Sequence, residues 1–472
     1  MTSVIAMGRP SQATRAARRV AFVFAGFAGG GIERSMLALS KALLAQGLAV
    51  DLVVGGAEGE LIGEVPERAM VVEAKPSSLW RVRLAALAAD RATLGLLMTH
   101  KLRPLKPLRR LRRLPALVRY LESARPDAVL AAETHHNLMM VWARHLAGLD
   151  CRIVLSEHIH ASSHAPRFNP WAHHDLLPLL RRAYLQADAI VTVSDGLTND
   201  LAAHGQIPRD RITRVYNPVV GPDLLRKARQ PLDHPWLATG APPVILGAGR
   251  LQPQKDFATL IRALAALRSR RPVRLVILGA HTDAEYAAAL QDLAIDLGVA
   301  QDVAMPGFVH NPFAFMSRAA VFVLSSRYEG LGNVLIEALA CGTPVVSTDC
   351  PSGPAEVLDN GRFGPLVPVG DVAALARAIE GVLDDPPAAQ SLRARARSFT
   401  VERAVDRYLG LLFPAQDEMD PNATSKAWAA TLGTGSLIDS AGKVSGLASC
   451  SGASRASLAP RCNNSMMGKA PR

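Results

Sequence analysis

One run, Ala320–Val357, reading AVFVLSSRYEGLGNVLIEALACGTPVVSTDCPSGPAEV, limits the folds open to this chain more than any other. Ala320–Leu324 is apolar and β-branched enough for a strand buried on both faces, and Asn333–Ala340 carries helix formers up to Gly342, a natural C-cap. Thr343–Pro344 then launches Val345–Thr348 as a second strand. Strand, helix and strand at this spacing close as a right-handed parallel unit, and parallel sheets take ligands at the carboxyl ends of their strands. Glu329 falls at such an end. Glu337 follows eight positions later in the helix, and Gly330 and Gly332 free the loop between them to fold back. Two carboxylates facing one crevice can fix the hydroxyls of a sugar or ribose, whereas an arbitrary pair of glutamates would be solvated charges.

The rest of the chain repeats the strand-helix alternation. With 472 residues and 49% apolar content it can bury two domains. Strand Val20–Ala25 leads into glycines 26, 29, 30 and 31 and a helix over Ser35–Gln46, so backbone N–H groups gather at a helix N-terminus where an anion is welcome. The spacing G-x-x-G-G-G is not the dinucleotide fingerprint, and no acid ends the next strand, Val50–Val54, which disfavours a nicotinamide enzyme. Strands at Ala128–Ala132, Arg152–Ser156, Ala187–Val193 and Ile212–Tyr216 alternate with helices at Leu138–Leu146, Leu176–Gln186 and Gly196–His204. A proline cluster near 218–240 marks a boundary, after which come Val244–Ala248, Arg274–Leu278, a helix at Ala284–Gly298, a turn at Met305–Phe308 and a helix at Val372–Leu383.

Charge and cysteine content narrow the setting. The net charge of +12 points to anionic partners, and five cysteines without a C-x-x-C pair fit a reducing cytoplasm. Trp80–Tyr120 holds eleven Lys or Arg against the single acid Asp90, with leucines at 102, 105, 108, 111, 114 and 117 and prolines at 104, 107 and 115. It reads either as a solvated insertion or as a surface for anionic lipid at the inner face of a membrane. Few aromatics and no reader motif argue against nucleic acid. No stretch reaches the roughly 20 apolar residues of a membrane span. Residues 1–19 and 414–472 lack apolar periodicity and are expected to be disordered.

Glu329-x7-Glu337 and the run Ser352-Gly353-Pro354 with Glu356 resemble the nucleotide-sugar site of retaining GT-B glycosyltransferases of family 4. Gly249-Arg250-Leu251 with Lys255-Asp256-Phe257, Phe308, the run Ser156-Glu157-His158, and Asn217-Pro218 are similar to further parts of that family. The resemblance implies two Rossmann-like domains facing a cleft, over 20–222 and 223–399, with residues 400–413 crossing back as a helix. It places the donor on Gly249, Arg250, Lys255, Phe308, Glu329, Gly330, Leu331, Gly332, Asn333, Glu337 and Gly353, and implies that Glu329 contacts the donor sugar and Glu337 the ribose. Gly29, Gly30 and Gly31 match the loop for diphosphate and acceptor, and His158 the histidine near the reacting sugar. Catalysis would then fall to Glu329, His158, Arg250 and Lys255, with both carboxylates in a solvent-lined cleft.

The implied activity is transfer of a sugar from a nucleotide-sugar, a UDP-sugar in the first instance, to a glycan or lipid-linked acceptor of the cell envelope. No cofactor or metal is expected. No two aspartates stand two positions apart, so a D-x-D metal site is missing, and Arg250 with Lys255 can meet the charge of the departing diphosphate. The alternatives are a nucleotide-sugar epimerase of the same fold and a non-catalytic nucleotide-sugar-binding subunit of a polysaccharide assembly.

Overall fold

Runs of Val, Ile, Leu and Ala without polar alternation suit strands covered on both faces, and the structure, a computed structural model, builds two such sheets. It describes residues 4–5, 17–90, 111–162, 177–281 and 283–414. The first sheet comprises β1 (Val4–Ile5), β2 (Arg19–Phe24), β3 (Ala49–Val54), β4 (Met70–Glu73), β5 (Ala128–Ala132), β6 (Arg152–Glu157), β7 (Ala189–Thr192) and β8 (Ile212–Arg214). Its order is β1-β4-β3-β2-β5-β6-β7-β8, parallel except where β1 runs against β4. The second comprises β9 (Val244–Ala248), β10 (Arg274–Leu278), β11 (Val303–Gly307), β12 (Val321–Leu324), β13 (Val345–Thr348) and β14 (Leu366–Val367), parallel throughout in the order β11-β10-β9-β12-β13-β14. Strand order reverses beside β2 in one sheet and beside β9 in the other. Loops leaving β2 and β5, or β9 and β12, therefore part to opposite faces and leave a crevice.

The helix Val401–Leu412 belongs to the first sheet's core. Ala404, Val405, Tyr408 and Leu412 lie on one face at helical spacing and join Val20, Phe22, Met36 and Leu43. Thr400 caps its start by accepting the Arg403 N–H, and a bridge from Val220 to Thr400 ties it to the crossing at residue 220.

Three sequence expectations need correction. Part of the basic insertion is core: Leu111, Leu114, Leu117, Tyr120 and Leu121 are buried with strands β2, β5 and β6. The three-residue leucine spacing works there because a short 3-10 turn, Leu111–Arg113, precedes the helix Leu114–Ala124, and Pro115 sits in its first turn, where no N–H is needed. Arg112 donates to the Ser77 carbonyl at 2.8 Å and Arg113 to that of Gly55 at 2.8 Å, so these two cations serve the fold. Second, Met305–Gly307 extends strand β11 and is no turn; β11 is an edge strand, which tolerates the missing N–H of Pro306. Third, Val4–Ile5 pairs with β4, within the stretch expected to be disordered. Residues 91–110 and 415–472 lie outside the described residues.

Tyr408 is fully buried, and its hydroxyl lies 3.3 Å from Ser156 Oγ. Tyr408→Ala should cost about 3–5 kcal/mol in urea unfolding by leaving a ring-sized cavity, whereas Tyr408→Phe should cost about 1 kcal/mol. Equal stability of the two variants would mean that this helix does not belong to the cooperative core.

Candidate functional site

The loop after β12 carries the densest charge. Glu329 Oε1 accepts from Lys255 Nζ at 2.6 Å and from Ser326 Oγ at 2.6 Å, and the carboxylate is 8% exposed. A buried ion pair repays its desolvation only when further hydrogen bonds support it, and Ser326 supplies one. Lys255 ends a 3-10 turn, Pro253–Lys255, and its aliphatic stem lies against Gly249. An ammonium has three N–H bonds, and Glu329 takes one. Arg250 stands exposed at the mouth of the same loop, and Glu33 across the crevice feels its charge.

Glu337 lies buried in the helix Asn333–Cys341. Burial pushes its carboxyl up from the ordinary 4.5, opposed by the charges of Arg34 and Lys255. The sequence placed both carboxylates in a solvent-lined cleft, but each is less than a tenth exposed, because the glycine loop and its helix close over them.

That closure is made by atoms from both sheets. Asn333 Nδ2 donates to the Gly31 carbonyl at 3.2 Å, and Asn333 Oδ1 accepts from Asn217 Nδ2 at 2.8 Å. Gly29, at φ +80°, lets the Phe308 ring approach so closely that a Cβ there would sit 3.0 Å from it. Gly330 meets the His158 carbonyl, where a Cβ would come within 2.4 Å, and its own carbonyl accepts from Ser194 Oγ at 2.7 Å. Gly353 packs on the Leu331 carbonyl, and Gly332 caps the Glu337 helix in a left-handed conformation. The helix behind the glycines is Gly31–Ala45, one turn longer than its periodicity suggested, with Gly30 as N-cap and Gly31 its first residue. Its first N–H groups thus begin within the glycine loop itself.

On the other wall, β6 ends at Glu157, which is buried and accepts from Tyr184 at 2.6 Å, Thr134 at 2.9 Å and the N–H groups of His158 and Ile159. This carboxylate fixes the loop that carries His158. The His158 ring places Nε2 2.9 Å from Ser156 Oγ, and burial lowers its pKa to about 4 although Glu133 opposes the shift. His158 is therefore neutral at physiological pH, suited to hydrogen bonding and not to charge compensation. Glu133 holds φ +75° at the end of β5 and pairs with His136 at 3.2 Å. Ser326, Asn217, Arg34 and Glu133 were not singled out as site residues from sequence, although Ser326 and Glu133 stand just past the strands read at Ala320–Leu324 and Ala128–Ala132 and Asn217 belongs to the Asn217-Pro218 pair.

Comparison with known proteins supplies the frame. Residues 230–399 match the family model described as Glycosyl transferases group 1, and residues 29–220 match Glycosyltransferase Family 4. The chain is 39% identical over 175 residues to the lipopolysaccharide core biosynthesis glycosyltransferase LpsE of Rhizobium meliloti, covering 36% of this chain and 49% of that protein. It is 32% identical over 231 residues to the N-acetylgalactosamine-N,N'-diacetylbacillosaminyl-diphospho-undecaprenol 4-alpha-N-acetylgalactosaminyltransferase of Campylobacter jejuni, covering 49% and 60%. The chain spans about half the length of the curated relatives it matches. Among solved structures, a glycosyltransferase from Rickettsia africae superposes with TM-score 0.64 at 16% identity, over 85% of this chain and all of that one. Anabaena HepE, solved with UDP and glucose, does so with TM-score 0.62 at 20% identity, over 84% and 99%. These likenesses show the fold to be GT-B.

Burial of Glu337 has a pH signature. Because its folded carboxyl titrates above 4.5, the folded state keeps a proton that the unfolded chain has released, so stability falls as pH rises from about 4.5 through the folded value. Glu337→Gln removes this loss. Urea unfolding should show the variant more stable than wild type at pH 7, with the gap closing as pH falls toward 4.5; a gap of the opposite sign would contradict the burial cost.

Proposed function

Since the chain belongs to the group 1, family 4 glycosyltransferases, we propose that it transfers a hexosyl or N-acetylhexosaminyl group from a nucleotide-sugar, in the first instance a UDP-sugar, to a glycan or lipid-linked acceptor, with retention at the anomeric carbon. The observation that carries this reading is the Lys255–Glu329 pair in the loops after β9 and β12, with Asn333, four residues beyond Glu329, bonded to the Gly31 carbonyl at the start of the helix Gly31–Ala45. A donor diphosphate in that gap would meet the free N–H bonds of Lys255, the Arg250 guanidinium and the positive end of the Gly31–Ala45 dipole. Charge on the leaving oxygen grows as the glycosidic bond breaks, and cations already in place need no reorganisation to receive it. Glu329 would orient the sugar and Glu337 the ribose, whose hydroxyls offer donors to a carboxylate that here lacks solvent. His158, neutral, would hold a sugar hydroxyl without competing for the diphosphate.

Envelope glycans as acceptors are supported by the relatives named for lipopolysaccharide core biosynthesis and for a diphospho-undecaprenol substrate. We further propose transfer without a divalent metal. Nucleoside diphosphate release from a panel of UDP- and GDP-sugars should survive EDTA and desalting. Arg250→Lys should lower kcat at least 10-fold although it keeps the charge, since an ammonium lacks the guanidinium fork. Loss of turnover in EDTA, restored by Mg²⁺, together with full activity of Arg250→Lys, would overturn this.

A lipid-linked acceptor calls for a membrane-facing surface. Among the described residues no helix is long and apolar enough to cross a membrane. The helix Leu79–Ala89 instead exposes Trp80 (58%) and Leu84 (59%), one turn apart, with Arg81 and Arg83 between them in sequence. With Arg112 and Arg113 committed to the fold, these are the residues to test. Trp80→Glu with Leu84→Glu should reduce co-sedimentation with phosphatidylglycerol vesicles at low salt several-fold. Wild-type protein that stays in the supernatant would leave this helix as ordinary surface.

A further inference from the structure

A carboxylate, an imidazole and a hydroxyl are linked across the cleft at a place the reading above does not use. Asp200, on the helix Asp195–Ala203, accepts the N–H groups of Ala161 and Ser162 through Oδ2 and lies 3.1 Å from His160 Nδ1 through Oδ1, with His204 Nδ1 at 3.4 Å. His160 Nδ1 is also 3.1 Å from Ser162 Oγ, and His160 Nε2 is hydrogen-bonded to Ser352 Oγ of the second sheet's domain. Burial raises the Asp200 carboxyl, but the hydrogen bonds from His160 and Ser162 outweigh it and hold the group below its usual value, so it stays an acceptor. An ionised carboxylate can only accept. Nδ1 therefore carries a proton toward Asp200, and Nε2 meets the Ser352 hydroxyl.

Ser352 holds φ +62°, a left-handed conformation that a non-glycine residue keeps only when its surroundings fix it, and Gly353 follows at φ +84°. Gly196 stands so close that a Cβ there would be 2.6 Å from Ser352 Oγ and 2.9 Å from its Cα, so the missing side chain is what lets the Ser352 loop approach the opposite domain. A cavity of about 520 Å³ lies there, lined by Ser352, Gly353, Glu356 and Asn360 from one domain and by Asp195 and Gly196 from the other. Held at His160, the Ser352 oxygen still has a lone pair to offer this cavity. Asp195 and Glu356 also line it, with Arg214 Nε 2.9 Å from Asp195 Oδ1 and 3.8 Å from Glu356 Oε1, and the lone pairs that Arg214 does not take suit a hydroxyl donor better than a phosphate.

We propose that His160, held by Asp200, is a positioning residue that turns Ser352 Oγ toward this cavity as the acceptor of a hydrogen bond from a hydroxyl of the donor sugar. The inference rests on the glycosyltransferase reading, since it assumes that the sugar of the nucleotide-sugar reaches past Glu329 to Gly353. It also makes the contact dependent on closure, because Ser352 and His160 come from different domains.

The test is isothermal titration of UDP, UDP-glucose, UDP-galactose, UDP-N-acetylglucosamine and GDP-mannose into wild type, Ser352→Gly, His160→Phe, His160→Gln and the double variant Ser352→Gly/His160→Phe. Glycine accepts φ +62° without strain, so Ser352→Gly removes the hydroxyl while keeping the loop. Affinity for the sugar that wild type prefers should fall about 10-fold in Ser352→Gly and in His160→Phe, with no further loss in the double variant, while affinity for the nucleoside diphosphate alone stays the same. His160→Gln, whose amide reaches the place of Nε2, should recover part of the loss. If wild type binds nucleotide-sugar more tightly than the nucleoside diphosphate and the variants keep that margin, the positioning role is overturned while the broader function stands. A parallel loss of nucleoside diphosphate affinity would assign His160 to domain closure alone and also overturn it. If wild type binds no nucleotide-sugar, the glycosyltransferase reading fails, and this inference with it.

Discussion

The ion pair between Lys255 and Glu329 is the interaction on which the site depends. It joins the loop after β9 to the loop after β12, neighbouring strands whose connections leave on opposite faces, and so fixes the width of the crevice between them. Neither partner is well hydrated, so each charge would be costly without the other. The arrangement keeps a cation in a dry place at no cost in mobility, and a ligand that brings its own negative charge can use it immediately. Ser326 matters for the same reason. By donating to Glu329 Oε1 it lets the carboxylate share its charge, so the ammonium is held but not neutralised.

Closure of the two walls depends on backbone rather than on side-chain bulk. Where Gly29 meets Phe308, and Gly330 meets the His158 carbonyl, a single methyl group would hold the walls apart. Asn333 then bridges to Gly31 and Asn217 with an amide that both donates and accepts, a geometry neither Asp nor Leu at that position could reproduce. The consequence is the burial of Glu329 and Glu337, and with it the raised carboxyl of Glu337. Approach and charge burial are therefore one design: the same glycines that admit the opposite wall remove the solvent from the carboxylates.

The alternation of strands and helices was legible because buried parallel strands leave a strong signature, and the stretches at Val244, Arg274, Val321 and Val345 were read within a residue of where they lie. The short, half-polar elements were not. Met70–Glu73 and Leu366–Val367 are too brief for a period to show, and Val303–Gly307 hides behind Pro306. The basic run misled because charge dominates its composition, while the leucines that matter, Leu111, Leu114 and Leu117, occupy a helix whose register only the packing against β2 and β6 reveals. Site chemistry divided in the same way. Glu329, Glu337 and Lys255 could be named from a spacing that resembles the family's, but that Lys255 is bound to Glu329, or that Ser156, which meets His158, also meets Tyr408, follows from contacts between residues 74 and 252 positions apart.

Three of the seven non-glycine residues that hold a positive φ among the described residues lie after strands that open on the crevice, and groups shifted by burial lie beside them. Glu133 at φ +75°, Asp256 at φ +46° and Ser352 at φ +62° are non-glycine residues in the left-handed region, and all three follow strands that open on the crevice. Glu337 and His158 there carry the carboxyl and imidazole shifted by burial toward their neutral forms. None of these features helps the chain fold, and each is held by packed elements behind it: β5 and its helix behind Glu133, the Glu157 network behind His158, the Asp200 and His160 contacts behind Ser352. A scaffold whose only task was to hold two domains together would gain stability by relaxing such positions to glycine or to apolar residues. Their presence on both walls of one cleft suits a preorganised binding surface, because groups already desolvated and already oriented leave the least to be rearranged when a polar ligand arrives.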